Sequence, residues 1–207
     1  MKLLPSIELE MMFHSEGVEY VAGVDEAGRG PVAGPVTVAV VILPMSSANR
    51  FGSGLSRGVR DSKQIPEKER ESIEALIKDV ALDYSVAHVP NETIDAINIL
   101  NATRLAVRRA VETLRIKPQV ILIDGKFLNL KSSTCISIVK GDQNIFSIAA
   151  ASILAKTSRD RMMREYAHEF PNYLFEKNKG YLTSEHLEAI RHHGLSPIHR
   201  KSFSITL

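Results

Sequence analysis

Tyr20–Leu43 reads YVAGVDEAGRGPVAGPVTVAVVIL, and its two apolar runs decide the fold class. Tyr20–Asp25 is a short apolar run that stops at acidic residues, the pattern of a buried strand. Val36–Leu43, VTVAVVIL, is nearly continuous and rich in β-branched residues. Such a run predicts a strand with both faces buried. The connection between the two is short enough for antiparallel neighbours.

Three further strands follow outward from this pair: Tyr84–Val89 (YSVAHV), Val120–Asp124 (VILID) and Ile136–Val139 (ISIV). Helices fall between them. After Pro66, residues Ile73, Leu76, Ile77 and Val80 recur at helical spacing, with the proline suited to a first helical position. Leu100, Val107, Ala110, Val111 and Leu114 place one stripe on a long helix ringed by Arg104, Arg108, Arg109 and Arg115. Ile148–Tyr166 predicts a third helix and Thr183–His193 a fourth, stopped by Gly194 with Pro197 beyond. The later connections carry helices and so permit parallel pairing. The expected class is α/β: a five-stranded mixed sheet flanked by helices.

Composition sets outer limits. The 207 residues are 44% hydrophobic and 24% charged, enough apolar material for one full core without staples. A single cysteine, Cys135, excludes an intramolecular disulfide and a zinc cluster. No apolar run of about 18 residues occurs, and the N-terminal MKLLPSIELEMMFHSEG is broken by charge, so a soluble cytoplasmic protein is expected. Residues 1–100 hold 9 Lys/Arg against 15 Asp/Glu, whereas residues 101–207 hold 17 against 9. That asymmetry suggests an anionic partner for the second half; an unevenly charged globular surface is the plain alternative. Ser46–Arg60, SSANRFGSGLSRGVR, reads as a loop.

Asp25, Glu26, Asp124 and Asp142 each follow a strand-like run, with glycine nearby in AGRG, DG and KGD. A lone strand-end Asp is most often a turn or cap. Four carboxylates gathered in one place would repel by roughly 4 kcal/mol per pair at about 4 Å and an effective dielectric near 20. A divalent cation is the natural compensation, and an all-oxygen set favours Mg²⁺ or Mn²⁺ over zinc. Adjacent strand residues point to opposite faces, so Asp25 and Glu26 share a site only if the backbone departs from strand geometry near Ala27-Gly28.

Gly28, Gly30 and Gly34 follow G-x-G-x-x-x-G, not the dinucleotide-binding spacing, and Pro31 and Pro35 interrupt the helix that motif needs. No phosphate-binding G-x-x-x-x-G-K-[ST] loop occurs. Gly28-Arg29-Gly30 instead suits close backbone approach to a phosphate or sugar; a tight turn with a solvated arginine is the bland reading.

The motifs GVDEAGRGPVAGPV (23–36), DSK (61–63), IDG (123–125), KGD (140–142), AAASILAKTSRDRMM (149–163), GYLTSEH (180–186) and HHGLSPIHRKSF (192–203) closely resemble bacterial ribonuclease HII, in order over nearly the whole chain. The resemblance implies a ribonuclease H-like fold in one catalytic domain spanning 1–207, with a small helical C-terminal part from about 167 to 207. It implies an endonuclease for the RNA strand of RNA–DNA hybrids that also incises 5′ of single ribonucleotides in duplex DNA. Two-metal-ion catalysis would leave 3′-hydroxyl and 5′-phosphate ends. Asp25, Glu26, Asp124 and Asp142 match the metal-binding carboxylates. Gly28, Arg29 and Gly30 match the turn that senses the 2′-hydroxyl, and Tyr181 matches the residue that packs on the neighbouring sugar.

Other residues carry less defined expectations. Lys63 could contact a phosphate or be solvated, and Lys156 and Arg159, about one turn apart, could grip the duplex backbone or form a plain helix face. His186, His192, His193 and His199 read as structural or phosphate-contacting, and Met11, Met12, Met162 and Met163 as core. Pro66 departs from the Ser or Thr cap expected in such proteins. Nothing requires more than a monomer. A nuclease of the same fold with other substrates and a non-catalytic binding module are the competing readings. The Gly-Arg-Gly turn with Tyr181 speaks against the first, the four acids against the second.

Overall fold

In a computed structural model, residues 4–44, 59, 62, 65–125 and 133–206 are described. The elements in chain order are α1 (Glu8–Ser15), β1 (Val21–Ala27), β2 (Val36–Ile42), α2 (Glu67–Val80), β3 (Asp83–Val89), α3 (Asn91–Thr113), β4 (Val120–Asp124), β5 (Thr134–Ile138), α4 (Gly141–Asn144) and α5 (Phe146–Glu169). A 3₁₀ turn at Pro171–Tyr173, α6 (Phe175–Asn178) and α7 (Ser184–His193) complete it.

The five strands form one sheet in the order β3-β2-β1-β4-β5. β1 and β2, and β2 and β3, pair antiparallel; β1 with β4, and β4 with β5, pair parallel. This is the expected mixed sheet. The continuous run of β2 has the anticipated cause. Ala39 and Val41 face α5 and α2, while Val36, Val38, Val40 and Ile42 face Ala102, Ala106 and Ala110 of α3. Every β2 residue is buried.

Helix α5 crosses β1 at closest range, because Gly23 has no side chain: a Cβ there would lie 2.1 Å from the Ser147 carbonyl carbon. The small residues Ala149, Ala150 and Ala151 continue that approach. The C-terminal elements gather around Tyr173, Phe175, Ala189, Ile190 and Ile198, and pack on Ala33 and Met163. Among the described residues no helix is long and apolar enough to cross a membrane.

Some local expectations are corrected. Pro66 precedes α2 rather than opening it; its carbonyl accepts the Arg70 amide at 2.9 Å. Helix α3 starts earlier than its stripe and is kinked at Asn98 (φ 65°), whose side chain accepts the Asn101 amide and so restarts the helix. Helix α1 was not expected; it leaves Met11 and Met12 about half exposed (47% and 46%), so they are not core, whereas Met163 is fully buried. The loop 46–60 lies outside the described residues except Val59.

Candidate active site

A cavity of about 480 Å³ opens at the C-terminal ends of β1 and β4, bordered by Asp25, Glu26, Asp124, Asp142, Gly28, Arg29, Gly30, Lys156 and Tyr181. The two strands are parallel neighbours, so their ends fall side by side and bring Asp25 and Glu26 near Asp124. Asp142 arrives on α4. Its approach is fixed by Asp124, whose Oδ1 accepts the Gly141 amide at 2.7 Å. Gly141 packs closely there: a Cβ would press on Ile148 Cδ1 at 2.6 Å and make that side chain shift.

The backbone does not leave strand geometry at the acidic pair. Asp25 and Glu26 stay in register with Ala39 and Val38, and the chain departs only at Gly28 (φ +88°). The pairing to β4 ends at Val24, which leaves both carboxylates beside the opening. Asp25 is buried, and its carboxyl is held well above the usual range, first by burial and then by the charge of Glu26, with Asp124 adding to it. A hydrogen bond from Ser152 opposes that shift. Glu26 accepts from Arg29 Nη1 at 3.0 Å.

A buried carboxyl crowded by like charges fits a cation, and the donors are all oxygen, which suits a hard ion. Among the described residues, no three Asp, Glu, His or Cys side chains close into a ligand cage by themselves. Mg²⁺-type sites keep several positions for water and phosphate.

The glycine turn is held by two buried arginines that the sequence reading did not assign to it. Arg200 donates from Nη2 to the Gly28 carbonyl, from Nη1 to that of Arg29 and from Nε to that of Gly34. Arg159 donates to the carbonyls of Pro35, Ala33 and Lys179 at 2.9, 3.1 and 2.9 Å. Arg159 is 1% exposed, so the expectation that it grips the duplex backbone is corrected: its donors are used inside the protein. Burial lowers the two guanidiniums to about 10 and about 9, still charged at neutral pH.

Lys156 borders the cavity and bonds Asp160 at 2.6 Å; Asp160 also takes Arg70 at 2.9 Å. Arg70 in turn holds the carbonyls of Ser62 and Ile65, and the Ser62 hydroxyl meets Ser152 at 2.9 Å. Ser62, Arg70, Ser152 and Asp160 thus link the DSK segment to Asp25 through contacts that no local pattern signals. Lys63 itself lies outside the described residues. Tyr181 is 48% exposed, its ring 3.7 Å from the point where a Gly30 Cβ would stand. None of His186, His192, His193 or His199 borders the cavity.

The family model described as Ribonuclease HII matches residues 22–206. This chain belongs to the ribonuclease HII family. A Ribonuclease HII from Endomicrobium trichonymphae is 53% identical over 93% of this chain and 89% of its own. One from Chlorobium luteolum is 50% identical over 89% of this chain and 88% of its own. The crystal structure of the ribonuclease H2 from Pyrococcus horikoshii OT3 superimposes with a TM-score of 0.72 at 32% identity, covering 89% of this chain and 93% of that one. As a ribonuclease HII family member the chain is a hydrolytic endoribonuclease. The cavity holding Asp25, Glu26, Asp124 and Asp142 lies within the matched span.

Proposed function

We propose that this chain cleaves the RNA strand of RNA–DNA hybrids and incises 5′ of single ribonucleotides in duplex DNA, leaving 3′-hydroxyl and 5′-phosphate ends. The observation that carries this reading is the placement of Gly28-Arg29-Gly30 between the carboxylates and Tyr181, all on one cavity. Arg200 draws the carbonyls of Gly28 and Arg29 into the protein. The turn is thereby pinned from behind, with its glycines leaving room for close backbone approach to a ribose. The Tyr181 ring beside Gly30 offers an apolar face to the neighbouring sugar.

Asp25, Glu26, Asp124 and Asp142 would hold Mg²⁺ or Mn²⁺. Bound there, such ions would acidify the attacking water and stabilise the departing 3′ oxygen. The protein's own groups set the stage. Ser152 orients Asp25, Gly141 N–H orients Asp124, and Arg29 keeps Glu26 in place. Lys156 supplies positive charge toward the phosphates, and Lys63 is the expected second contact of that kind. Arg159 serves as scaffold. The partners are RNA–DNA hybrid and ribonucleotide-containing duplex, engaged by a monomer.

The test is a duplex with one embedded ribonucleotide, incubated with Mg²⁺ and separately with Mn²⁺. A nick on the 5′ side is expected, and no nick with either ion would sink the reading.

A further inference from the structure

Behind Tyr181 lie two histidines with no solvent exposure, His186 on α7 and His199 on the segment that follows. Their hydrogen bonds fix the position of each proton. The Ser196 backbone N–H donates to His199 Nδ1 at 2.9 Å, and the Ser196 hydroxyl lies 2.8 Å from the same nitrogen; the backbone donor assigns the lone pair to Nδ1 and the His199 proton to Nε2. His199 Nε2 lies 3.1 Å from His186 Nε2. With its proton directed there, His186 Nε2 is the acceptor and the His186 proton is on Nδ1. That proton points at the Tyr181 carbonyl, 2.9 Å away. The row runs one way: Ser196 N–H, His199, His186, Tyr181 C=O.

A second proton on either ring would set N–H against N–H, at Ser196 or between the two imidazoles. The surroundings give a cation no help. The rings of Tyr173 and Phe175 pack on both imidazoles at centroid distances of 5.3–6.4 Å. The Tyr173 hydroxyl donates to the carbonyls of His193 and Gly194, and the Arg200 guanidinium is turned into the glycine turn. Among the described residues, a third imidazole, His193, lies on the far side of Tyr173, at 6.3 Å from its ring. Among the described residues no hydrogen bond or ion pair joins either imidazole to a carboxylate.

We propose that His186 and His199 are positioning residues for ribonucleotide recognition, a neutral pair with fixed tautomers that sets Tyr181 against the glycine turn. The inference rests on the reading of Tyr181 as a sugar-packing residue. The same segment that carries His199 is stitched to the turn: Arg200 N–H donates to Val32 at 2.8 Å, and Gly34 N–H to Ile198 at 2.9 Å. One side of the pair therefore holds the Tyr181 backbone and the other side holds the strand-like segment that carries Arg200. The Tyr181 carbonyl also accepts from Thr183 N–H at 2.9 Å, so the pair fixes a loop that is already turned. Burial and mutual repulsion push the His199 ring down to about 4, in keeping with a pair that stays neutral across the working range.

Nitrogen-15 NMR of the histidine side chains in the full chain reads the tautomers directly. The expected spectrum has His199 as the Nε2–H form and His186 as the Nδ1–H form, both neutral at pH 6. The reverse tautomers, or a charged ring at that pH, would overturn the proposal. Kinetics supply the second arm, using an embedded-ribonucleotide duplex and an all-RNA hybrid. His186→Leu should lower the ratio of kcat/KM values for the two substrates on the order of tenfold. His186→Asn keeps a donor toward Tyr181 and should restore most of that ratio. An unchanged ratio in folded His186→Leu, alongside a damaged ratio in Tyr181→Ala, refutes the positioning role alone. An unchanged ratio in Tyr181→Ala removes the underlying reading of Tyr181, and the proposal with it.

Discussion

Gly23→Ala should be among the most damaging one-methyl changes in this protein. Gly23 sits in mid-β1, paired to Val41 on one side and Leu122 on the other. A Cβ there would stand 2.1 Å from Ser147 C, 2.4 Å from its oxygen and 2.5 Å from Ile148 N. Ordinary contact begins near 3.4 Å, so the first turn of α5 would have to retreat by more than an ångström. Overpacking costs about 1–3 kcal/mol when side chains can yield. Here both partners are main chain, and β1 is held at both edges. We expect about 3 kcal/mol or more, which for a chain of this size lowers the melting midpoint by about 6–12 °C. Gly17→Ala is the control: its φ is +89° with nothing within 4 Å, so only the backbone strain of about 1 kcal/mol is expected. Activity should fall with Gly23→Ala as well, because α5 carries Ser152, which bonds Asp25. Thermal and denaturant unfolding measure the first effect and single-turnover incision the second. A Gly23→Ala protein that melts within about 2 °C of the parent would refute the packing argument.

Asp25→Asn should abolish cleavage yet stabilise the cation-free fold. The Asp25 carboxyl is raised in the folded state, so its contribution to stability is present below the ordinary carboxylate range and is lost as pH rises through its folded value. The melting temperature of Asp25→Asn should exceed that of the parent by a margin that grows from acid toward neutral pH. Added Mg²⁺ or Mn²⁺ should raise the parent's midpoint but not the variant's; an equal rise in both would remove Asp25 from the cation site. Arg200→Lys gives up most of three bonds to the carbonyls of Gly28, Arg29 and Gly34. A loss of about 2–4 kcal/mol by denaturant unfolding is expected, with incision impaired; a loss below about 0.5 kcal/mol would show the clamp to be idle. Met12→Gln should change stability by no more than about 0.5 kcal/mol, because Met12 is nearly half exposed, and a larger loss would show that its side chain carries packing energy.

What could be read in advance follows the range of each interaction. β2 announces itself because a doubly buried strand needs an unbroken β-branched run. The strand-end acids and the Gly-Arg-Gly turn are local patterns, and all border one cavity. Helix α1 escaped notice because its charges break the apolar run and its methionines face outward. The kink at Asn98 hides inside a good helical stripe. Arg159 shows a different limit. Its place on a basic helix suggests solvent, and only the fold reveals that its carbonyl partners lie up to 126 residues away. Ser152 and Arg70 are equally silent, since each acts by joining segments the sequence keeps apart.

The arginine clamp also has a consequence for the order in which the protein becomes competent. Arg200 reaches back across 172 residues to Gly28 and 171 to Arg29. A chain emerging from the ribosome presents its acidic strand end and glycine turn early, but lacks the donors that set that turn until residue 200 is out. The turn that would read the ribose is therefore among the last parts of the site to gain its hydrogen-bond donors. A fragment ending before Arg200 should show this as an ordered sheet with little power to nick a ribonucleotide.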